Sequence, residues 1–247
     1  TDYFASLEQL KGSFRQFMNN AGDSGIALVN ADAPDAVEAA RDVLPQVRYF
    51  SVKDPAADYF AGSITYDGGF ASFDIYAFGT LLCRASLSVI GSFNVSNALA
   101  AAASAHLSGV SAKAIARGLS EFRGVARRFE YLGELNGARV FTDYAHHPDE
   151  LKATLAAAKA AAGGRLVTLF QPHTFSRLHD LFDDFAASFG DSSLPLFTDV
   201  FSAREVNTSG VHAGLLADAA GGVYLPTLEE SARYLEANVR PGDTVLL

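Results

Sequence analysis

Val140-Phe141-Thr142-Asp143-Tyr144-Ala145-His146-His147-Pro148 is a run of β-formers that ends in an acid, a phenol and two imidazoles and then meets a proline. Proline suits the first helical position, because its ring presets φ and its absent N–H would have had no partner in that turn. Beyond it Leu151, Leu155, Ala158 and Ala162 recur along one helical stripe. The polar residues therefore sit where a strand's carboxyl end meets a helix's amino end. Open α/β folds bind ligands at that join, and the helix N-terminus there favours anions. Taken alone, the stretch also reads as a strand-helix turn with surface histidines.

Working outward, Asn136-Gly137 upstream favours the type I′ turn of a hairpin spanning residues 129–143. Downstream, Gly163-Gly164 is expected to cap the helix, and residues 165–170 read as a buried strand. One further helix carries Leu178, Phe182, Phe185 and Phe189, and a strand at 196–200 follows it. Segments 214–220 and 223–225, a helix capped at Thr227 with Glu230 three on, and a strand at 244–247 complete the alternation. This half predicts a Rossmann-like α/β domain with a mostly parallel sheet.

Ahead of it, Ser6 with Gln9 has capping-box spacing, and Leu7, Leu10, Phe14 and Phe17 form a stripe ending near Gly22. Residues 25–30, 33–44 and 46–52 read as β-α-β, which implies a parallel pair. Residues 59–89 predict three antiparallel strands. Helices follow at 96–107 and from a Ser111 cap to about Phe122. Gly124-Val125-Ala126 has no periodicity, so the expected domains are 1–124 and 125–247.

Apolar residues make up 49% of the 247 and charged residues 19%, which supplies a core and excludes disorder. A formal charge of -9 repels phosphate backbones and anionic membranes, so nucleic acid is not an expected partner. Cys83, the only cysteine, cannot close an internal disulfide and fits a reducing, cytoplasmic setting. No apolar run of about 18 residues and no leader is visible, so membrane insertion is not expected.

Four clusters could carry chemistry. Asn94 and Asn97, three apart at a helix start, could present amide donors and acceptors to an adenine edge; helix capping by Asn94 is the plainer reading. Arg127-Arg128-Phe129-Glu130 could fork a guanidinium onto phosphate or ribose, or form a surface ion pair. The third is the opening stretch. The fourth, Gln171-Pro172-His173-Thr174-Phe175-Ser176-Arg177, sets an imidazole and a guanidinium four apart, where both can bind one carboxylate. His146, His147, His173 and His179 lack zinc-motif spacing, so no metal ligands are assigned.

In order, Gly-x-x-Asn-x-x-Asn, Gly-Val-x-Arg-Arg-Phe-Glu, Asp-Tyr-Ala-His-His-Pro and Gln-Pro-His-x-x-x-Arg resemble the Mur ligase family. Asp2-Tyr3-Phe4, Asn30-Ala31-Asp32 and the 199–205 segment extend the likeness over nearly the whole chain. The resemblance implies the back part of a central ATPase domain, a mixed sheet with helices, followed by the family's C-terminal ligase domain. It implies ATP and Mg²⁺ as cofactors and amide formation through an acyl phosphate. Ala126-Arg127-Arg128 and His146-His147 imply the member that joins L-alanine to UDP-N-acetylmuramate, with a murein-tripeptide recycling ligase as the alternative. By resemblance, Asn94 and Asn97 contact adenine, and Arg128 and Asp143 hold ribose and the phosphate end. His146 is a catalytic candidate, and Tyr144, His173 and Arg177 form the amino-acid pocket.

Phe93, Thr142 and Thr174 depart from the family pattern. No Gly-Lys pair occurs, so the phosphate-cradling P-loop is missing, as are the Mg²⁺ ligands expected ahead of Thr1. The chain therefore reads as a fragment, inactive alone, with an exposed sheet edge on its first lobe suited to self-association. A nucleotide-binding module without catalysis and a metal-dependent hydrolase are the rival classes.

Overall fold

The computed structural model describes residues 4–247, which form two compact units that divide between Arg123 and Gly124. Asp2 and Tyr3 lie outside the described residues.

The first unit runs α1 (Leu7–Asn19), β1 (Ile26–Asn30), α2 (Pro34–Ala39), β2 (Gln46–Ser51), β3 (Tyr59–Asp67), β4 (Phe70–Ala77), β5 (Thr80–Ile90), α3 (Phe93–Leu107) and α4 (Ala112–Glu121). Its sheet follows chain order; β1, β2 and β3 pair in parallel, and β3, β4 and β5 antiparallel. Strict alternation in β4 buries Ala71, Phe73, Ile75 and Ala77 on one face, where they meet Val95, Leu99 and Ala102 of α3.

The helix starts follow their caps. Ser6 Oγ accepts the Gln9 N–H at 3.2 Å, and Ser111 Oγ accepts that of Ala114 at 3.4 Å. Three expectations shift. α2 stops at Ala39 rather than residue 44, and α3 begins at Phe93 rather than residue 96. In α1, Leu7, Phe14 and Phe17 are exposed, and the buried residue is Lys11. Its ammonium reaches Glu8 at 3.3 Å and Asp35 and Glu38 at 2.8 Å each, so charge pairing joins α1 to α2.

The second unit runs β6 (Glu130–Leu135), β7 (Ala138–Thr142), α5 (Pro148–Ala161), β8 (Leu166–Phe170), α6 (Phe175–Asp180), α7 (Phe182–Ala186), β9 (Leu194–Phe197), α8 (Ala213–Ala220), β10 (Val223–Tyr224), α9 (Leu228–Asn238) and β11 (Thr244–Leu246). The sheet order is β10-β9-β8-β11-β7-β6, parallel except for the β6–β7 hairpin. Asn136 and Gly137 both take positive φ, 51° and 78°, as the hairpin turn requires. Thr227 and Glu230 complete the capping box of α9.

Two expectations fail here. The 175–189 segment is two short helices that break at Leu181 (φ −117°, ψ 25°), and the bend brings Leu178, Phe185 and Phe189 into one core. Neither Gly163 nor Gly164 is left-handed, and α5 ends on an extended Ala162. A Cβ on Gly164 would lie 2.5 Å from the Gly242 carbonyl oxygen, so close backbone approach explains that glycine. Beside it, Arg165 forks onto Asp243 through Nε at 3.1 Å and Nη2 at 2.7 Å. The guanidinium holds the Asp243 carboxyl below the usual carboxylate range.

Candidate active site

Because β7, β8, β9 and β11 are parallel, their carboxyl ends emerge on one side of the second unit's sheet. Asp143 follows β7, His173 follows β8, Phe201 follows β9 and Leu247 follows β11 around a cavity of about 560 Å³. Tyr144, His146 and Arg177 line the same cavity, so five of the sequence's candidates converge there.

Asp143 is the brace of this rim. Its side chain is only 7% exposed. Oδ2 accepts the Phe129 N–H at 2.9 Å; Oδ1 accepts the Ala145 N–H at 2.8 Å and the Thr154 hydroxyl at 3.4 Å. Burial pushes the carboxyl above its ordinary value, against the pull of these hydrogen bonds and of the Arg128 charge. The segment it grips is strained, since Arg127 and Phe129 hold φ of 62° and 49°. Beyond this segment, the Arg127 and Arg128 guanidinium carbons stand 5.0 and 5.9 Å from the Tyr144 ring centroid. Arg128 also lies 4.0 Å from both Asp143 and Glu150, whereas Arg127 is the arginine of this pair that lines the cavity.

The two cavity histidines are held differently. Arg177 Nη1 lies 3.4 Å from His173 Nδ1. A guanidinium can only donate, which assigns the acceptor lone pair to Nδ1 and the ring proton to Nε2. His146 Nδ1 instead faces two acceptors, the Tyr144 carbonyl at 2.9 Å and Glu150 Oε2 at 3.3 Å, which assigns its proton to Nδ1. The rings lie 6.3 Å apart, centroid to centroid. Phe201 stacks on His173 at 5.5 Å and 25°, and the Thr174 N–H donates to the Phe201 carbonyl at 3.0 Å.

Asn94 and Asn97 belong to the first unit and line a mainly apolar cavity of about 450 Å³ between α3 and α4. Asn94 Nδ2 donates to the Ile90 carbonyl at 2.7 Å, and its Oδ1 accepts from Asn97 Nδ2 at 3.1 Å. Asn94 is thus a brace, and Asn97 presents an amide that fits the donor–acceptor edge of a purine.

The sequence patterns of the Mur ligase middle domain and of the Mur ligase, glutamate ligase domain match residues 1–105 and 127–247. This chain belongs to the Mur ligase family. Relatives named UDP-N-acetylmuramate--L-alanine ligase share 39% identity in Gloeobacter violaceus and 38% in Desulforamulus reducens, each over 99% of this chain. Those alignments cover 53% and 54% of the relatives, so the chain spans about half the length of the curated relatives it matches. The UDP-N-acetylmuramate-alanine ligase structure of Thermotoga maritima superposes with a TM-score of 0.76 at 22% identity, over 98% of this chain and 51% of that one. A murein peptide ligase of Psychrobacter arcticus gives 0.68 at 26%, over 98% and 52%. A MurF ligase of Thermotoga maritima, solved with ADP, gives 0.74 at 16%, over 99% and 54%.

Within this Mur ligase fold, sequence reasoning passed over Glu150 and Phe201 as site residues, and within the Arg127-Arg128 cluster it favoured Arg128 although Arg127 lines the cavity. Glu150 lies in the first turn of α5, where an acid also answers the helix dipole, so its residue type carries no distinct signal. Phe201 reaches His173 only through β9, with no local signal. Among the described residues no three His, Cys, Asp or Glu side chains gather as a metal site, and no helix is long and apolar enough to cross a membrane.

Proposed function

We propose that the protein carrying this chain joins L-alanine to UDP-N-acetylmuramate in the cytoplasm, converting ATP to ADP and phosphate. The observation that carries this reading is the pairing of His173 and Arg177, because the Arg177 contact leaves both groups as N–H donors at one cavity wall. Two such donors suit the carboxylate of a free amino acid. Curated relatives at 36–39% identity, all named for ligation of L-alanine, favour that amino acid over a tripeptide.

In the reaction, the muramate carboxylate attacks the γ-phosphorus of ATP, and the alanine amine then displaces phosphate from the acyl phosphate. Asn97 meets the adenine edge, with Asn94 fixing its amide. Arg128 takes the nucleotide's ribose and phosphate end, and Asp143 acts by gripping the segment that carries Arg128. Tyr144, His173 and Arg177 seat L-alanine. Mg²⁺ would neutralise the transferring phosphoryl group when bound; among the described residues no three His, Cys, Asp or Glu side chains gather to hold it.

The test is phosphate release from ATP by the whole protein. Release should require UDP-N-acetylmuramate and L-alanine together. Release that a murein tripeptide supports in place of L-alanine would move the protein to the recycling reaction, and turnover without either acceptor would refute ligation.

A further inference from the structure

We infer that His146 is the proton acceptor for the incoming amine and that Glu150 is the positioning residue that holds it in the accepting tautomer. The inference rests on the ligase reading above and deepens it. At neutral pH L-alanine arrives as an ammonium, which has no lone pair with which to attack. His146 Nδ1 is committed to the Tyr144 carbonyl at 2.9 Å and Glu150 Oε2 at 3.3 Å, so the ring's lone pair is on Nε2. The same Glu150 Oε2 accepts the His146 backbone N–H at 3.0 Å, and Oε1 lies 4.0 Å from Arg128. One carboxylate in the first turn of α5 thus fixes the ring from both its backbone and its imidazole sides.

His173, held in the opposite tautomer, offers a proton where His146 offers a lone pair. The two ring centroids are 6.3 Å apart, a span that an α-amino acid can bridge with its carboxylate on one ring and its nitrogen on the other. The ammonium gives one proton to His146 Nε2 and keeps the electron pair of that N–H bond. The amine then forms the C–N bond, the acyl C–O bond to phosphorus breaks with its electrons on oxygen, and the second amine proton leaves with the phosphate as HPO₄²⁻.

Hydroxylamine, already unprotonated at neutral pH, separates proton acceptance from every earlier step. In the whole protein, His146→Asn should cut turnover with L-alanine by about 100-fold, the scale of general base catalysis. With hydroxylamine in place of L-alanine, phosphate release should stay within threefold of wild type. Glu150→Ala should cost about tenfold in kcat with L-alanine, little with hydroxylamine, and nothing further in the His146→Asn background, because its effect passes through that ring. Equal losses with both acceptors in His146→Asn would overturn the proton-acceptor role, and an undiminished Glu150→Ala loss in the His146→Asn background would overturn the positioning role. Wild-type protein that releases no phosphate with either acceptor would instead refute the ligase reading, and this inference with it.

Discussion

Replacing Asp143 with alanine tests whether this residue works by bracing the rim. The substitution leaves the N–H groups of Phe129 and Ala145, now bonded at 2.9 and 2.8 Å, without their acceptor. Each unmet buried donor costs about 1–3 kcal/mol. Water recovers part of that, because Arg127 and Arg128 beside the break are exposed, so a net loss of about 3 kcal/mol is expected. In a unit of this size that loss lowers the unfolding midpoint by roughly 10 °C. The strained 127–129 segment should relax with it, moving Arg128 off the rim and lowering kcat at least as much as Asp143→Asn does. Asparagine keeps one acceptor and should cost about half as much. The pH dependence has a definite sign. Burial raises the folded carboxyl's pKa, so its contribution to stability is complete below the unfolded value and fades as pH rises through the folded one. The gap between wild type and Asp143→Asn should therefore be widest in acid and narrow toward neutrality. Differential scanning calorimetry from pH 3 to 8 measures it; a gap that widens with pH, or an unshifted midpoint in Asp143→Ala, would refute the bracing role.

Asn97→Ala should raise KM for ATP by the loss of one amide contact, about 1–3 kcal/mol, and leave the thermal midpoint unchanged. Asn94→Ala should also lower the midpoint, since its amide ties Ile90; identical behaviour of the two variants would remove that distinction. Arg177→Ala leaves a substrate carboxylate unpaired at a cost of roughly 2–5 kcal/mol, read as a rise in KM for L-alanine far larger than that for ATP. Asp243→Asn weakens the fork with Arg165 and should cost about 1–3 kcal/mol at pH 7. Because Arg165 lowers the folded Asp243 pKa, that stabilisation exists above the unfolded value and is lost as pH falls through the folded one, so urea midpoints of variant and wild type should converge in acid.

Much of the fold is local chemistry and could be read directly. The Asn136-Gly137 turn, the proline start of α5, the Ser6, Ser111 and Thr227 caps and the alternation of β4 each depend on residues within a few positions of one another. The polar run after β7 and the His173-Arg177 pair were legible as candidates for the same reason: strand ends and helix starts expose their side chains whatever lies around them.

What tertiary structure alone decided involves partners far apart in the chain. Lys11 is buried because three carboxylates meet it, two of them on α2, and no apolar periodicity encodes that. The helix breaks at Leu181 without glycine or proline, because Leu178, Phe185 and Phe189 share one core. Gly164 answers to the Gly242 carbonyl, and Phe201 answers to His173. The division of labour between Arg127 and Arg128, and the opposite tautomers of His146 and His173, follow from which donors and acceptors the folded chain places within reach. A sequence states which groups can donate or accept; only packing determines which of them meet.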